Sequence, residues 1–185
     1  MTEPRVIAVG IDPDTTNTGI GLVYASLGGA RYLDHAIADS KGCSAMDRRA
    51  GMAVAIRVAL MDLVRRHTPQ VGAVEWQGIR PGDPRPDDVC QLNAVAGMAL
   101  AGLVTTFSPA LFLPLPVQWK GSVPKAIHQP RVLARLGLTK GFSGLGSKES
   151  HVVDALGLAA WAAEQWLTQQ RIRAVTDGPG SSPSA

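Results

Sequence analysis

The sequence of 185 residues contains only two cysteines, Cys43 and Cys90, and their spacing is not that of metal ligands. Two cysteines are too few for a disulfide framework, so we interpret both as structural or incidental. No apolar run reaches the roughly 18 residues that a membrane span needs, and the N-terminus lacks the layout of a secretory signal. These absences favour a soluble intracellular protein with no membrane partner.

Aromatic residues are also scarce, at 5% of the chain against a hydrophobic share of 45%. The core must therefore be built mainly from Ala, Val and Leu. The length suits one domain with a sizeable core, which we place at residues 1–172. Because the chain ends in a segment rich in Gly, Pro and Ser, a composition typical of disorder, we expect a disordered tail at residues 173–185.

Acidic residues are missing from one long stretch, residues 89–148, whose lysines and arginines all lie in its second half. These basic residues are Lys120, Lys125, Arg131, Arg135, Lys140 and Lys148. Such a stretch is compatible with a solvated face on a protein of net charge +3. Here the basic residues are interleaved with Gly and Pro and directly precede His151 and Asp154. That arrangement favours a surface that binds a polyanion.

Four polar residues lie where an apolar strand or a small-residue helix is expected: Asp12, Glu75, His151 and Asp154. A carboxylate at the end of a buried strand loses hydration, so it needs a cation or hydrogen bonds there. Alternatively, Asp12 and Glu75 are polar strand ends that cap a neighbouring helix, and His151 is a structural histidine. Taken together, three carboxylates and a histidine indicate a site for hard divalent metal ions.

The hydrophobic pattern along the chain is that of an α/β protein. We predict strands at residues 6–11, 19–24, 32–38, 71–75 and 111–113. We predict helices at residues 45–66, 87–107, 124–136 and 149–170. Three consecutive strands followed by alternating helices and strands describe a mixed sheet covered by helices.

Four segments in order carry a resemblance to a known family. Residues 10–19 (GIDPDTTNTG) resemble the first motif of RuvC-type Holliday junction resolvases, residues 74–77 (VEWQ) the second, and residues 151–156 (HVVDAL) the last. Residues 116–125 are similar to the basic segment of phage and bacterial members. The resemblance covers residues 6–166 and implies a ribonuclease H-like fold, an α/β mixed five-stranded sheet flanked by helices.

The resemblance also implies an activity, partners and a location. It implies a metal-dependent endonuclease that selects four-way DNA junctions, acts as a homodimer, and has a branch-migration helicase as a candidate partner. We expect it in the cytoplasm of a bacterial cell or a phage-infected host. The small residues of the helix at 87–107 make it a candidate for the dimer interface, with ordinary packing against the sheet as the alternative.

Phosphodiester hydrolysis requires an activated water and charge stabilisation, which two Mg²⁺ ions supply with oxygen ligands; Mn²⁺ is the expected substitute. In this interpretation Asp12 bridges both ions from the central strand, Glu75 ligates one ion, and Asp154 completes the site from the last helix. His151 binds the second ion or orients the attacking water.

Further residues are candidates for DNA contacts: Thr15, Thr16, Arg80, Arg85, Lys120 and Lys125. Both threonines could instead shape the turn after the first strand, and both lysines could be plain surface residues. One departure from the family pattern is Asp14, where the family usually has Gly. We interpret Asp14 as a turn residue, with an extra carboxylate near the metals as the alternative.

Three other functions are alternatives to junction resolution. The first is an actin-like kinase or ATPase, which residues 10–16 resemble, although the chain is short and shows no second phosphate loop. The second is an inactive DNA-binding relative, although all four candidate ligand positions are filled. The third is a nuclease of the same fold with another substrate, either broader branched DNA or RNA.

Overall fold

The computed structural model describes residues 3–41, 48–78, 85–107, 109–138, 141–142 and 144–176. Its strands are β1 (Arg5–Asp12), β2 (Asn17–Ser26), β3 (Gly29–Asp39), β4 (Val71–Val74) and β5 (Ala110–Phe112). Its helices are α1 (Arg48–Arg66), α2 (Pro86–Thr106), α3 (Pro116–Trp119), α4 (Lys125–Arg135) and α5 (Glu149–Thr176).

The strands form one five-stranded sheet in the order β3-β2-β1-β4-β5. The strands β1, β2 and β3 pair antiparallel, whereas β4 is parallel to both β1 and β5. The predicted mixed five-stranded sheet flanked by helices is confirmed, with β1 at its centre. Helices connect the parallel strands because a parallel pair needs a crossover connection rather than a tight turn.

Side chains of the sheet alternate between two cores. On one face, Val6 and Ala8 of β1 pack in a cluster with the apolar residues of α5. On the other face, Val9 and Ile11 pack with residues of α1 and α2. Because successive side chains of a strand point to opposite faces, Asp12 belongs to the face that α5 covers.

Two glycines allow α5 to lie directly on the sheet. A Cβ atom added at Gly10 would lie 2.1 Å from the carbonyl oxygen of Ala155, and one at Gly19 would lie 2.2 Å from that of His151. Both distances are far inside van der Waals contact, so only glycine permits this approach. The glycines of β1 and β2 therefore determine how near the first turns of α5 lie to the end of β1.

The observed elements extend or add to the predicted ones. The strands β2 and β3 are longer than predicted because cross-strand pairing continues along the hairpin from Asn17↔Asp39 to Ser26↔Gly29. The short helix α3 was not predicted. Helix α5 continues to Thr176, so residues 173–176, which we assigned to the tail, are helical; their sequence has no Gly or Pro to end the helix.

Among the described residues, one helix, α2, is long and apolar enough to cross a membrane by length and composition. It packs against α1, where Gly102 lies near Leu60 and Ile56. Only 28% of its most apolar window is buried, so α2 presents an apolar surface outward.

Candidate active site

Asp12 and Glu75 lie side by side because of the strand register. The strands β1 and β4 are paired in parallel up to Ile11↔Val74, and the backbone N–H of Glu75 donates to the carbonyl of Ile11 at 3.1 Å. The next residue on each strand is a carboxylate. Both are buried, with Asp12 9% and Glu75 4% exposed. The parallel register therefore places Glu75 next to Asp12.

Helix α5 brings His151 and Asp154 to the same place. The Nδ1 atom of His151 lies 2.8 Å from Oδ2 of Asp12, and Asp154 is 4% exposed. Residues three apart on a helix share a face, so both side chains point toward the end of β1. The structure thus brings together all four residues that the sequence singled out, from three distant segments of the chain.

Burial and charge perturb the protonation of Asp12. Its pKa rises to about 6, first because burial removes hydration and then because the charges of Glu75 and Asp154 lie nearby, while the hydrogen bond from His151 opposes the rise. The pKa of His151 is raised, mainly by that hydrogen bond to Asp12. The protonation of Asp12 is therefore coupled to that of His151, and a neighbouring cation would favour the ionised form of Asp12.

Glu75 has a partner on each carboxylate oxygen. Its Oε1 accepts a hydrogen bond from the amide of Gln77 at 2.6 Å. Its Oε2 accepts one from the indole N–H of Trp119 at 2.7 Å and one from the ammonium of Lys120 at 3.1 Å. The ammonium of Lys120 also lies 4.8 Å from the centroid of the Trp119 ring. Helix α3 and the residue that caps its C-terminus therefore supply two of the groups that hold Glu75.

Asp154 is held in the same manner from α4. Its Oδ1 accepts a hydrogen bond from the amide of Gln129 at 3.1 Å, and the same amide nitrogen donates to the carbonyl of Ser150 at 3.1 Å. Its Oδ2 lies 3.4 Å from the ammonium of Lys125. Each of the three carboxylates is thus paired with one cationic or ionisable side chain: His151 on Asp12, Lys120 on Glu75 and Lys125 on Asp154.

The donor set fits hard divalent cations, which prefer carboxylate oxygens and keep several of their waters. Asp12 lies within electrostatic reach of the two other buried carboxylates, Glu75 and Asp154. Such a group requires positive charge, and here protein cations supply it. Within the part of the chain that the structure describes, no three His, Cys, Asp or Glu side chains are close enough to share one ion. In this arrangement two carboxylates bind lysines, and an ion would compete with those lysines.

The turn after β1 explains the departure at Asp14. Its Oδ1 accepts hydrogen bonds from the backbone N–H of Thr16 at 2.8 Å, the hydroxyl of Thr16 at 2.7 Å and the backbone N–H of Asn17 at 3.1 Å. No residue other than glycine has a positive φ in the described chain. Burial raises the pKa of Asp14, but these hydrogen bonds outweigh it, so that the pKa is lowered overall. Asp14 is a turn residue, as we interpreted it.

The predicted DNA-contact residues lie in different settings. The hydroxyl of Thr16 is engaged by Asp14, and the carbonyl of Thr15 accepts a hydrogen bond from Ser40 at 3.3 Å. Arg85 precedes α2, is exposed, and lies 3.6 Å from Asp88. Arg80 lies outside the described residues. Lys120 and Lys125, expected on phosphates, lie against the carboxylates of the site.

Three site residues were not identified from the sequence: Gln77, Gln129 and the indole N–H of Trp119 as a donor to Glu75. The signal for Gln77 was its position two residues after Glu75, which places both side chains on one side of an extended chain. Gln129 has no local signal, because its relation to Asp154 exists only once α4 packs against α5.

Comparison with known proteins shows that the fold is similar to that of several solved structures. No protein-family model matches the chain, and no curated protein matches its sequence. The structure is similar to that of Thermus thermophilus RuvC in complex with a Holliday junction substrate, with a TM-score of 0.66, 21% identity, and coverage of 89% of this chain and 96% of that one. A second structure of Thermus thermophilus RuvC gives a TM-score of 0.65 at the same identity.

A eukaryotic structure shows the same likeness at lower similarity. The yeast mitochondrial Holliday junction resolvase Ydc2 matches with a TM-score of 0.53 and 13% identity, over 91% of this chain and 83% of that one. The chain therefore has the ribonuclease H-like fold in the form seen in RuvC-type resolvases, and the resemblance predicted from the motifs is confirmed at the level of the fold.

Proposed function

We propose that the protein is a metal-dependent, structure-selective endodeoxyribonuclease that resolves four-way DNA junctions by paired phosphodiester hydrolysis. One observation carries the proposal: Asp12 and Glu75 are buried side by side where β1 and β4 end, and the buried Asp154 lies close enough to Asp12 to raise its pKa, although the three come from separate parts of the chain. Buried carboxylates repel one another, so an arrangement of three favours a cation-binding function over a purely structural one. The fold shared with Thermus thermophilus RuvC supports this assignment.

Divalent ions bound at Asp12, Glu75 and Asp154 would supply an activated water and stabilise charge on the phosphate. Mg²⁺ is the expected ion and Mn²⁺ its substitute. The protein's own residues prepare this site. His151 bonds to Asp12 through Nδ1, which leaves its second ring nitrogen to accept a proton from water or to bind an ion. Gln77, Trp119 and Gln129 hold the carboxylates in place.

The basic residues between Lys120 and Arg135, beside the site, form the proposed DNA surface. Lys120 and Lys125 stand at the site itself, and Arg131 and Arg135 continue along α4. Lysine and arginine bind phosphates mainly through charge, so we expect junction affinity to fall steeply with salt. A flat salt response would contradict a basic DNA surface.

A homodimer would give the enzyme two sites, one for each strand to be cut. Helix α1 has two solvent-facing valines, Val54 and Val58, which are 63% and 62% exposed. Helix α2 has one, Val104, which is 49% exposed. Gly97 on α2 has nothing within 4 Å of the position of an added Cβ, so a second helix has room to approach there. Exposed valines on two adjacent helices support this face as the dimer interface.

Cleavage of a synthetic four-way junction tests the function, with a linear duplex and a three-way branch as controls. We expect paired symmetric nicks on the four-way junction with Mg²⁺, lost in EDTA and in Asp12→Asn. Asp12→Asn should still bind the junction, because affinity comes mainly from the basic surface. Equal cutting of every branched DNA would instead indicate a general debranching nuclease. Tight junction binding without cutting under any metal would indicate an inactive relative.

A further inference from the structure

Glu75 and Asp154 share one pattern of partners. On each carboxylate, a glutamine amide holds one oxygen and a lysine ammonium holds the other. For Glu75 these are Gln77 on Oε1 at 2.6 Å and Lys120 on Oε2 at 3.1 Å. For Asp154 they are Gln129 on Oδ1 at 3.1 Å and Lys125 on Oδ2 at 3.4 Å.

The two kinds of partner differ in how firmly they are held. The amides of Gln77 and Gln129 are neutral. The Gln129 amide is also fixed by a hydrogen bond that it donates to the backbone carbonyl of Ser150. The lysine side chains are 25% exposed at Lys120 and 55% exposed at Lys125, whereas the carboxylates they neutralise are 4% and 6% exposed. A lysine ammonium is a point charge on a flexible four-carbon stem. The lysines therefore reach the carboxylates from the solvent side, which is the side from which an ion must enter.

Electrostatics makes a lysine and a metal ion alternatives on one carboxylate oxygen. Both are attracted to the same buried negative charge, and they repel each other strongly at the few ångströms that sharing it would require. The glutamine on the opposite oxygen carries no charge and has no such conflict. When an ion binds, the amide stays and the ammonium has to leave.

We propose that Lys120 and Lys125 are internal counter-cations of the site: they neutralise Glu75 and Asp154 until divalent ions displace them, and the released ammonium groups then bind DNA phosphates. This inference rests on the proposed function. It accounts for the acid-free stretch at residues 89–148, since a local acidic residue would capture the released lysines. It also couples the two ligands, because metal binding frees phosphate-binding groups, and by linkage DNA must then strengthen metal binding by the same factor.

Amine acetylation read by mass spectrometry tests the displacement on the wild-type protein without DNA or catalysis. The full-length protein is labelled in EDTA and across a titration with Mg²⁺ or Ca²⁺, while calorimetry records metal binding. We expect the acetylation of Lys120 and Lys125 to rise several-fold over its level in EDTA as metal binding saturates, because a lysine released from its carboxylate is more accessible to the reagent. Lys148, which pairs with Asp39 outside the three carboxylates, and the exposed Lys41 should keep constant reactivity.

The metal affinity of lysine variants tests the same exchange. Lys120→Met and Lys125→Met remove the competing ammonium while keeping most of the aliphatic stem, so each should bind Ca²⁺ more tightly than wild type. Lys148→Met is the matched control and should not change metal affinity. With an uncut four-way junction, each of the two site variants should lose more affinity in Ca²⁺ than in EDTA at equal ionic strength, because the lysine reaches phosphate only after it has left the carboxylate.

The outcomes separate this inference from the function on which it rests. Calorimetric metal binding with unchanged reactivity of Lys120 and Lys125 would overturn the exchange and leave the nuclease assignment intact. Unaltered or weaker metal binding by both methionine variants would also overturn it. Absence of any metal binding by the wild type would overturn both the exchange and the proposed function. The labelling result holds even if a methionine variant fails to fold.

Discussion

The buried charge of Asp12 leads to a quantitative prediction about stability. In the folded protein its pKa rises from 3.8 to about 6, and at about 1.36 kcal/mol per pKa unit the ionised form is disfavoured by about 3 kcal/mol. Asn has the shape of the neutral acid without its charge. We therefore expect Asp12→Asn in EDTA to be more stable than wild type at pH 8, by between about 1 and 3 kcal/mol.

The sign of this effect depends on pH in a defined way. Because the folded pKa lies above the unfolded one, the folded state keeps a proton between about pH 4 and pH 6 that the unfolded state has released. Wild-type stability therefore falls as pH rises through this window. Asp12→Asn lacks this fall, so the difference between the two proteins should be small near pH 4 and complete at pH 7 and above.

Urea unfolding in EDTA from pH 4 to pH 8 measures the difference, and EDTA keeps metal binding from stabilising the wild type. Asp14→Asn is a control of opposite sign. Because hydrogen bonds lower the pKa of Asp14, its neutralisation should cost stability at pH 8. If Asp12→Asn were no more stable than wild type at pH 8, Asp12 would not be the desolvated carboxylate described above.

Three other predictions concern packing, the site and assembly. Gly10→Ala should destabilise the protein by more than about 3 kcal/mol through overpacking, and Gly97→Ala, which meets nothing within 4 Å, should not; urea unfolding compares them. Trp119→Phe removes the donor to Glu75 and should weaken Mg²⁺ binding by about 10–100-fold in calorimetry, whereas Trp161→Phe, which removes the indole that packs on Phe112, should leave it unchanged. Val58→Glu should convert a dimer to a monomer in sedimentation; a wild type that is monomeric, or a variant that stays dimeric, would refute the α1–α2 interface.

Some features follow from local sequence alone. The unbroken apolar run before Asp12 determines a strand that is buried on both faces and ends in a carboxylate. Successive side chains of a strand face opposite sides, so a run without polar residues needs cover on each side, and β1 has it. The spacing of His151 and Asp154 determines that both share one helix face. A mixed sheet covered by helices was likewise predictable from the succession of strands and helices.

Other features arise only when distant segments pack. The parallel register of β1 and β4 sets Glu75 beside Asp12, and no pattern within either strand specifies that register. The same holds for Gly10, which reads as an ordinary small residue until α5 lies on it. Likewise, Lys120 and Lys125 were expected on phosphates, yet in the structure they contact Glu75 and Asp154. The physical reason is that charge interactions depend on distance and burial, and for groups 29 or 45 residues apart in the chain, only the tertiary structure decides both.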